Sequence, residues 1–513
     1  AWSRPGRKHD DEREPNVNAR TYRFSPLDRT GVLLGLGGPQ VVVLGSGVVA
    51  AVLARSAGAS LAVVAVPVAL AALAALVRVG GQPALEAVPP AGAFALRAVR
   101  RRNRWFAPLP WLGGEPSATP ALPPALDGQV VLGVDADAAG FATPGRLAVV
   151  HDRRGGRVSA TVAVSGGAFC LVERAEQDRM VALWAEAQAA YCRQASPVVA
   201  IRWSEWAAPA DVADQLGWLD DHGGDPEDPA VASYRSFVES AGRRAFRHEV
   251  LVSLVVDLGR LGGARGTEGR LAAGVEALCA ELRQFSERLA GAGLVVSAPL
   301  SPAELARALR LRLDPTAALL LDARGRSLGQ LAGLTSLASA GPLATDSSWS
   351  TWRVDESVHR GFLVTEWPRV DVAAAWMADL VLPGGVVRSI AVVAEPVPVR
   401  TSRRAIERQA AKLASDADHR ERTGFRVGAA HTRAEAAVAE REAELVAGFA
   451  ELRFAGVVVV SAASAQALEE AAKAMVARAD AVGIELKALS GRHDQALGAC
   501  LPLARTVAPG AAS

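Results

Sequence analysis

The sequence predicts an α+β protein that begins with a two-helix transmembrane hairpin. Three observations lead to that class. Two apolar runs, GVLLGLGGPQVVVLGSGVVAAVLA at 31–54 and LAVVAVPVALAALAALVRV at 61–79, stand close together near the start. Strand-like and helix-like segments then alternate through the rest of the chain. Half of the 513 residues are hydrophobic and 21% are charged, enough for several large cores.

Residues 1–30 read as a polar N-terminal tail rich in arginine. Each apolar run has about the length that a bilayer core of roughly 30 Å requires at about 1.5 Å per residue. Neither contains an acid, and Arg78 is the only base, at the end of the second. A signal peptide is a poorer reading, because the first run starts late and a second follows it. Arginines crowd both outer flanks, including Arg20, Arg23 and Arg29 before the pair and Arg97, Arg100, Arg101, Arg102 and Arg104 after it. The loop at 55–60 holds only Arg55. The positive-inside rule therefore places a multi-pass protein in the inner (plasma) membrane, with both termini cytoplasmic and the lipid bilayer as a partner. Residues 80–128 form a basic juxtamembrane segment that ends in the Pro/Ala-rich linker EPSATPALPPALDG.

A first cytoplasmic α+β domain is expected over 129–350. GRLAVVHDRRGGRVSATVAVSG reads as a hairpin turning at Gly155-Gly156. AEQDRMVALWAEAQAAYCRQAS reads as a helix, PVVAIRWSEW and HEVLVSLVVDLG as strands, and 229–247 as helical. A long helix, the strand LVVSAPL and the helix SPAELARALRLRL follow. In that last helix Ser301, Pro302 and Glu304 form a capping box with proline at its first position. A second subdomain is expected over 351–513. It has a strand at 386–399, two charged helices within 401–450 with a break near Thr423-Gly424-Phe425, and then a strand, a helix and a strand. Thr432 and Glu435 look like a further capping box. The β-α-β-α-β order points to subdomains of ferredoxin-like type.

Few residues of the chain fit a chemical motif. A net charge of +2 argues against nucleic acid as a direct partner. The glycine-rich run LGRLGGARGTEGR at 258–270 lacks the Gly-Lys step of a phosphate loop, and the four lysines (8, 412, 473 and 487) all follow other residues. None of the eight histidines forms HExxH, and His248-Glu249 has no second histidine at the required spacing. Gly45-Ser46-Gly47 and Ser165-Gly166-Gly167 do not match a nucleophile elbow. Asp220-Asp221 and Asp135/Asp137 read as solvated turns. Cys170, Cys192, Cys279 and Cys500 form no CxxC pair and read as buried small residues in a reducing compartment. No catalytic, cofactor-binding or metal-binding residue is assigned, and no cofactor is expected. Two tryptophan groups, Trp203/Trp206/Trp218 and Trp349/Trp352/Trp367/Trp376, read as core packing or as interface anchors.

Three passages carry a resemblance. ARTYRFSPLDRTGVLLGLGGPQ, with the two apolar runs and the basic segment after them, resembles the PrgI-type membrane subunit of type IV secretion and conjugation systems. ERLAGAGLVVSAPLSPAELARALRLRLDP at 287–315 and the segment 386–505 resemble the N-terminal domain of conjugation ATPases of the CagE/TrbE/VirB type. In those ATPases an LPLGR-like segment leads into the motor. Here Leu501-Pro502-Leu503-Ala504-Arg505 stands in its place, with Ala504 where the pattern has glycine. Layouts of this kind occur in actinobacterial mobile elements. The resemblance implies a non-enzymatic inner-membrane subunit of a conjugative, type IV-like secretion apparatus that transfers DNA or protein. It would anchor and dock a separate ATPase, meet other secretion-channel subunits and take part in a homo-oligomer. A type VII secretion membrane component with a cytosolic domain is one alternative, and a membrane-anchored enzyme of unassigned chemistry is another.

Overall fold

A computed structural model describes residues 22, 24, 38–79, 82–108, 122–166, 169–242, 245–262, 266–328, 337–422 and 428–505. The first elements are helices α1 (Gly38–Ser56) and α2 (Leu61–Leu76), the ribbon β1 (Arg78–Val79) and β2 (Gln82–Pro83), helix α3 (Ala84–Val99) and strand β3 (Arg104–Phe106). The transmembrane hairpin expected at 31–54 and 61–79 is corrected here. No helix among the described residues is long and apolar enough to cross a membrane. Helix α2 has 16 residues, about 24 Å at 1.5 Å per residue against a hydrocarbon core of roughly 30 Å. It stops at Leu76 because Val77 turns extended and the chain enters β1. Helix α1 spends its length on Gly38, Gln40, Gly45, Ser46, Gly47 and Arg55 as well as on apolar residues. Residues 31–37 lie outside the described residues. The inner-membrane, multi-pass placement and the cytoplasmic termini rested on that hairpin and go with it.

The next stretch holds β4 (Gln129–Asp135), β5 (Arg146–Asp152), β6 (Arg157–Gly166), α4 (Arg174–Ala189), β7 (Val198–Pro209), α5 (Ala213–His222), α6 (Pro229–Gly242), β8 (Phe246–Asp257), α7 (Gly266–Gly291), β9 (Leu294–Pro299) and α8 (Pro302–Leu313). Helices α9 (Ala318–Leu328) and α10 (Leu337–Ala340) connect it to β10 (Ala344–Ser347), β11 (Trp352–Val354), β12 (Ser357–Glu366) and the short α11 (Ala378–Val381). Then come β13 (Val387–Pro396), α12 (Val399–Arg422), α13 (Ala429–Val446), β14 (Leu452–Ala462), α14 (Ala465–Ala481), β15 (Glu485–Ala488) and α15 (His493–Cys500).

All strands from β3 to β15 join one antiparallel sheet in the order β3-β10-β11-β12-β14-β13-β7-β8-β6-β5-β4, with β9 on β6 and β15 on β12. The pairing repeats itself. Strand β6 pairs with β5, β8 and β9, and β8 pairs with β7. Strand β12 pairs with β11, β14 and β15, and β14 pairs with β13. The two halves meet where β7 runs antiparallel to β13, with Glu205 opposite Ile390 and Ser204 opposite Ala391. Each half thus repeats one pairing order, with β3 as an extra strand in the second, and an approximate twofold relates them at the middle of the molecule.

Both faces of the sheet are covered, which explains its continuous valine runs. Val457 and Val459 of β14 enter a core with α8 and α15, whereas Val458 and Val460 enter one with α14. The corresponding core of the first half packs α4 and α7 over β6 and β8. The local signals behave as their chemistry requires. Ser301 accepts from the Glu304 amide while Glu304 accepts from the Ser301 amide, closing the capping box at α8. Gly156 turns the β5–β6 hairpin at a φ of 61°. The second capping box does not form, because α13 starts earlier, after Gly428, and leaves Thr432 inside the helix. The break expected near 423–425 lies outside the described residues.

Candidate interaction surfaces

The middle of the sheet carries charge on both faces. On the α8/α15 face the guanidinium of Arg202 is fully buried. It donates to the carbonyls of Leu501 and Leu503 at 2.6 Å each and to that of Arg505. Burial pushes the Arg202 guanidinium down to about 10 and the neighbouring Cys500 thiol up to about 12. The LPLAR segment then crosses the first half toward β4. The Ala504 amide donates to Gln129, and Arg505 donates to the carbonyls of Ala125 (2.5 Å) and Asp127 (2.8 Å). The segment is therefore stitched into the platform by its backbone, and Arg202 is the clamp.

On the opposite face Glu205 is buried beside the local twofold. Its Oε1 accepts from His248 Nδ1 at 2.8 Å and from Arg388 Nη2 at 3.4 Å. Arg388 also donates to the carbonyls of Val381, Pro383 and Val386. Desolvation lowers the Arg388 pKa, and the Glu205 charge offsets part of that. Two further histidines are locked neutral. His359 donates from Nε2 to the Leu313 carbonyl at 2.9 Å, so Nδ1 accepts from Ser461 at 2.8 Å. His493 accepts from the Gly361 amide and donates to the Trp349 carbonyl. Burial holds each of these imidazoles down to about 4. These contacts fix strands and helices to one another; none of the two rings is presented to solvent.

Phe24, from the TYRF stretch, lies against the second half, and Tyr22 touches both halves. Tyr22 forms an antiparallel bridge with Val372 and donates to Asp178 of α4 at 3.0 Å. Phe24 stacks on Trp367 at 5.5 Å and meets Trp376 and Phe454 edge-on at 5.3 and 6.0 Å. The other tryptophans divide. Trp206 and Trp352 are core, whereas Trp218 and Trp349 are exposed.

Two helical hairpins leave the sheet at opposite ends. α5–α6 follows the end of β7, and α12–α13 follows the end of β13, which runs the other way. The helices α12 and α13 pack on each other rather than across the sheet. Among the described residues only Ser402 and Ile406 of α12 and His431 and Val438 of α13 are buried, so the described part of this charged hairpin projects.

The remaining motifs fall in plain structural roles. Asp135 accepts from the Ala138 amide in the β4–β5 turn, and Asp220 at the end of α5 pairs with Arg235. The glycine-rich run opens with Asp257 accepting from the Gly259 amide and ends in the first turns of α7; residues 263–265 lie outside the described residues. Ser46 returns its hydroxyl to the Val43 carbonyl within α1, and Gly167 lies outside the described residues. Cys192, Cys279 and Cys500 are buried as expected, but Cys170 is exposed on a short helical turn. Arg202, Glu205 and Arg388 were missed in the sequence. The signal for them was charged residues set inside otherwise apolar strands, in VVAIRWSEWAAP and VRSIAVVAEP. No protein-family model matches the chain, and no curated protein is similar to it.

Proposed function

We propose that this chain is a non-enzymatic docking subunit of a conjugative, type IV-like secretion apparatus, built from two ferredoxin-like halves, to which a separate ATPase binds. The observation that carries the reading is the placement of the two passages that resemble the conjugation ATPases. The 287–315 passage supplies α8 and the end of the 386–505 passage supplies α15 with LPLAR, and these two parts pack into one core on one face of the sheet. Arg202 ties that face to the strand at the middle of the molecule. A rigid platform of this kind suits the transmission of force from a motor better than chemistry at a cleft. The same face bears Leu319 and Leu320 on α9, exposed at 53% and 72%, which are apolar anchors of the kind an interface covers.

The test is affinity purification of the tagged full chain from cells that produce it naturally, followed by mass spectrometry. Recovery of a conjugation-type P-loop ATPase with a polytopic channel subunit is the expected result. Recovery of type VII secretion subunits instead, or nucleotide turnover by the purified chain alone, contradicts the reading.

A further inference from the structure

The two projecting hairpins, at opposite ends of the sheet, carry surface patches of opposite charge. At the α5–α6 end Asp220, Asp221, Asp225, Glu227 and Asp228 are all exposed. Of these, Asp220 is engaged by Arg235, and Asp225 and Asp228 accept from nearby backbone amides. Beside them three aromatic side chains stand in solvent, Trp218 at 58%, Tyr234 at 42% and Phe237 at 66% exposure. Such rings are costly to leave uncovered and are typical interface anchors.

At the other end α12 carries Arg400, Arg404, Arg408 and Lys412, each four residues after the last and all exposed. That spacing puts them in one row about 18 Å long. The row lies on the side of the helix away from the buried Ser402 and Ile406. None of the four forms an ion pair among the described residues. Like charges at this spacing oppose each other by a few tenths of a kcal/mol per pair. Val446 and Phe449, at the base of the same hairpin, are exposed at 79% and 62%.

We infer that the α5–α6 hairpin of one copy docks on the α12–α13 hairpin of a second copy, so that chains associate head to tail. Charge complementarity selects this occupant. The acids and the row of bases have each other's sign, and each group stands beside exposed apolar side chains. The approximate twofold puts them at opposite ends of one sheet, so a molecule cannot close the contact on itself. Unlike patches meeting in this way form a heterologous interface, which builds a ring or an open filament. A nucleic acid is a poorer occupant, because it could not take the acidic hairpin and would leave Trp218, Tyr234 and Phe237 uncovered.

The experiment is sedimentation velocity of the full chain across a concentration series at low and high salt. The expected result is association that grows with concentration and weakens with salt. Asp221→Lys with Glu227→Lys should leave monomers, and so should Arg404→Glu with Arg408→Glu. Mixing the two variants, or combining all four changes in one chain, should recover part of the association because the reversed positions again face opposite charge. A wild-type chain that stays monomeric throughout overturns the inference. So does association unchanged by either variant, or a mixture that stays monomeric.

Discussion

At the residue scale, buried ionisable groups hold strands and helices in place. His359 is the clearest case. Its folded-state pKa is held near 4, below its ordinary 6.5, because burial disfavours the cation. The unfolded chain therefore binds more protons between those two values, and stability rises with pH across that window. Acidification from 6.5 to 4 should cost roughly 3 kcal/mol through this residue alone. His493 acts in the same direction. Urea unfolding of the wild type and of His359→Gln at a series of pH values checks this. The variant should be less stable near neutrality and should show a shallower loss below pH 6.5. An equally steep loss would remove His359 from the explanation.

Arg202 makes a second prediction at this scale. Replacing it with Met leaves the carbonyls of Leu501, Leu503 and Arg505 without their donor. The expected cost is about 3 kcal/mol, as for other buried charged groups that lose their partners. Limited proteolysis should then cut the 501–505 segment before the rest of the sheet, and equal resistance in both proteins would contradict the clamp. The sequence held a trace of Arg202, a charge set between apolar strand residues. It gave no sign of the partners, because those carbonyls lie about 300 residues away along the chain and backbone acceptors leave no mark in side-chain patterns.

At the element scale, segments with a local cause were legible. The capping box at Ser301, the hairpin at Gly155-Gly156 and the valine-rich strand β14 follow from spacing and turn chemistry. The transmembrane hairpin was misread for a physical reason. A run of apolar letters does not fix where a helix starts and stops, and α2 ends at Leu76 in favour of a short ribbon. Close approach between elements was also invisible in the sequence. A Cβ at Gly361 of β12 would collide with the Ala496 side chain of α15. Gly361→Ala should therefore destabilise the protein by about 1–3 kcal/mol, the usual range for overpacking. A pairing with Ala496→Gly should recover part of the loss, and thermal unfolding of the two variants checks both statements. Additive losses would show that the α15 contact is not the cause.

At the scale of the whole molecule, the repeated pairing on either side of β7 and β13 is the main feature that sequence patterns did not reveal. The two halves share an order of pairing but little composition, since one hairpin is short with an acidic turn and the other is long with a basic row. Duplication is therefore legible in hydrogen-bond topology and hidden in side chains. The arrangement gives one face with α8, α9 and α15 and another with α4, α7 and α14. The docking account assigns the ATPase to the first of these.

Site-specific photo-cross-linking in cells tests that assignment most directly. A photoreactive amino acid replaces Leu320 on α9 in one protein and Glu276 on α7 in another; both positions are exposed. The account predicts that the Leu320 probe captures a conjugation-type P-loop ATPase and that the Glu276 probe does not. Capture of that ATPase from neither position, or equally from both, would contradict docking on the α8/α15 face.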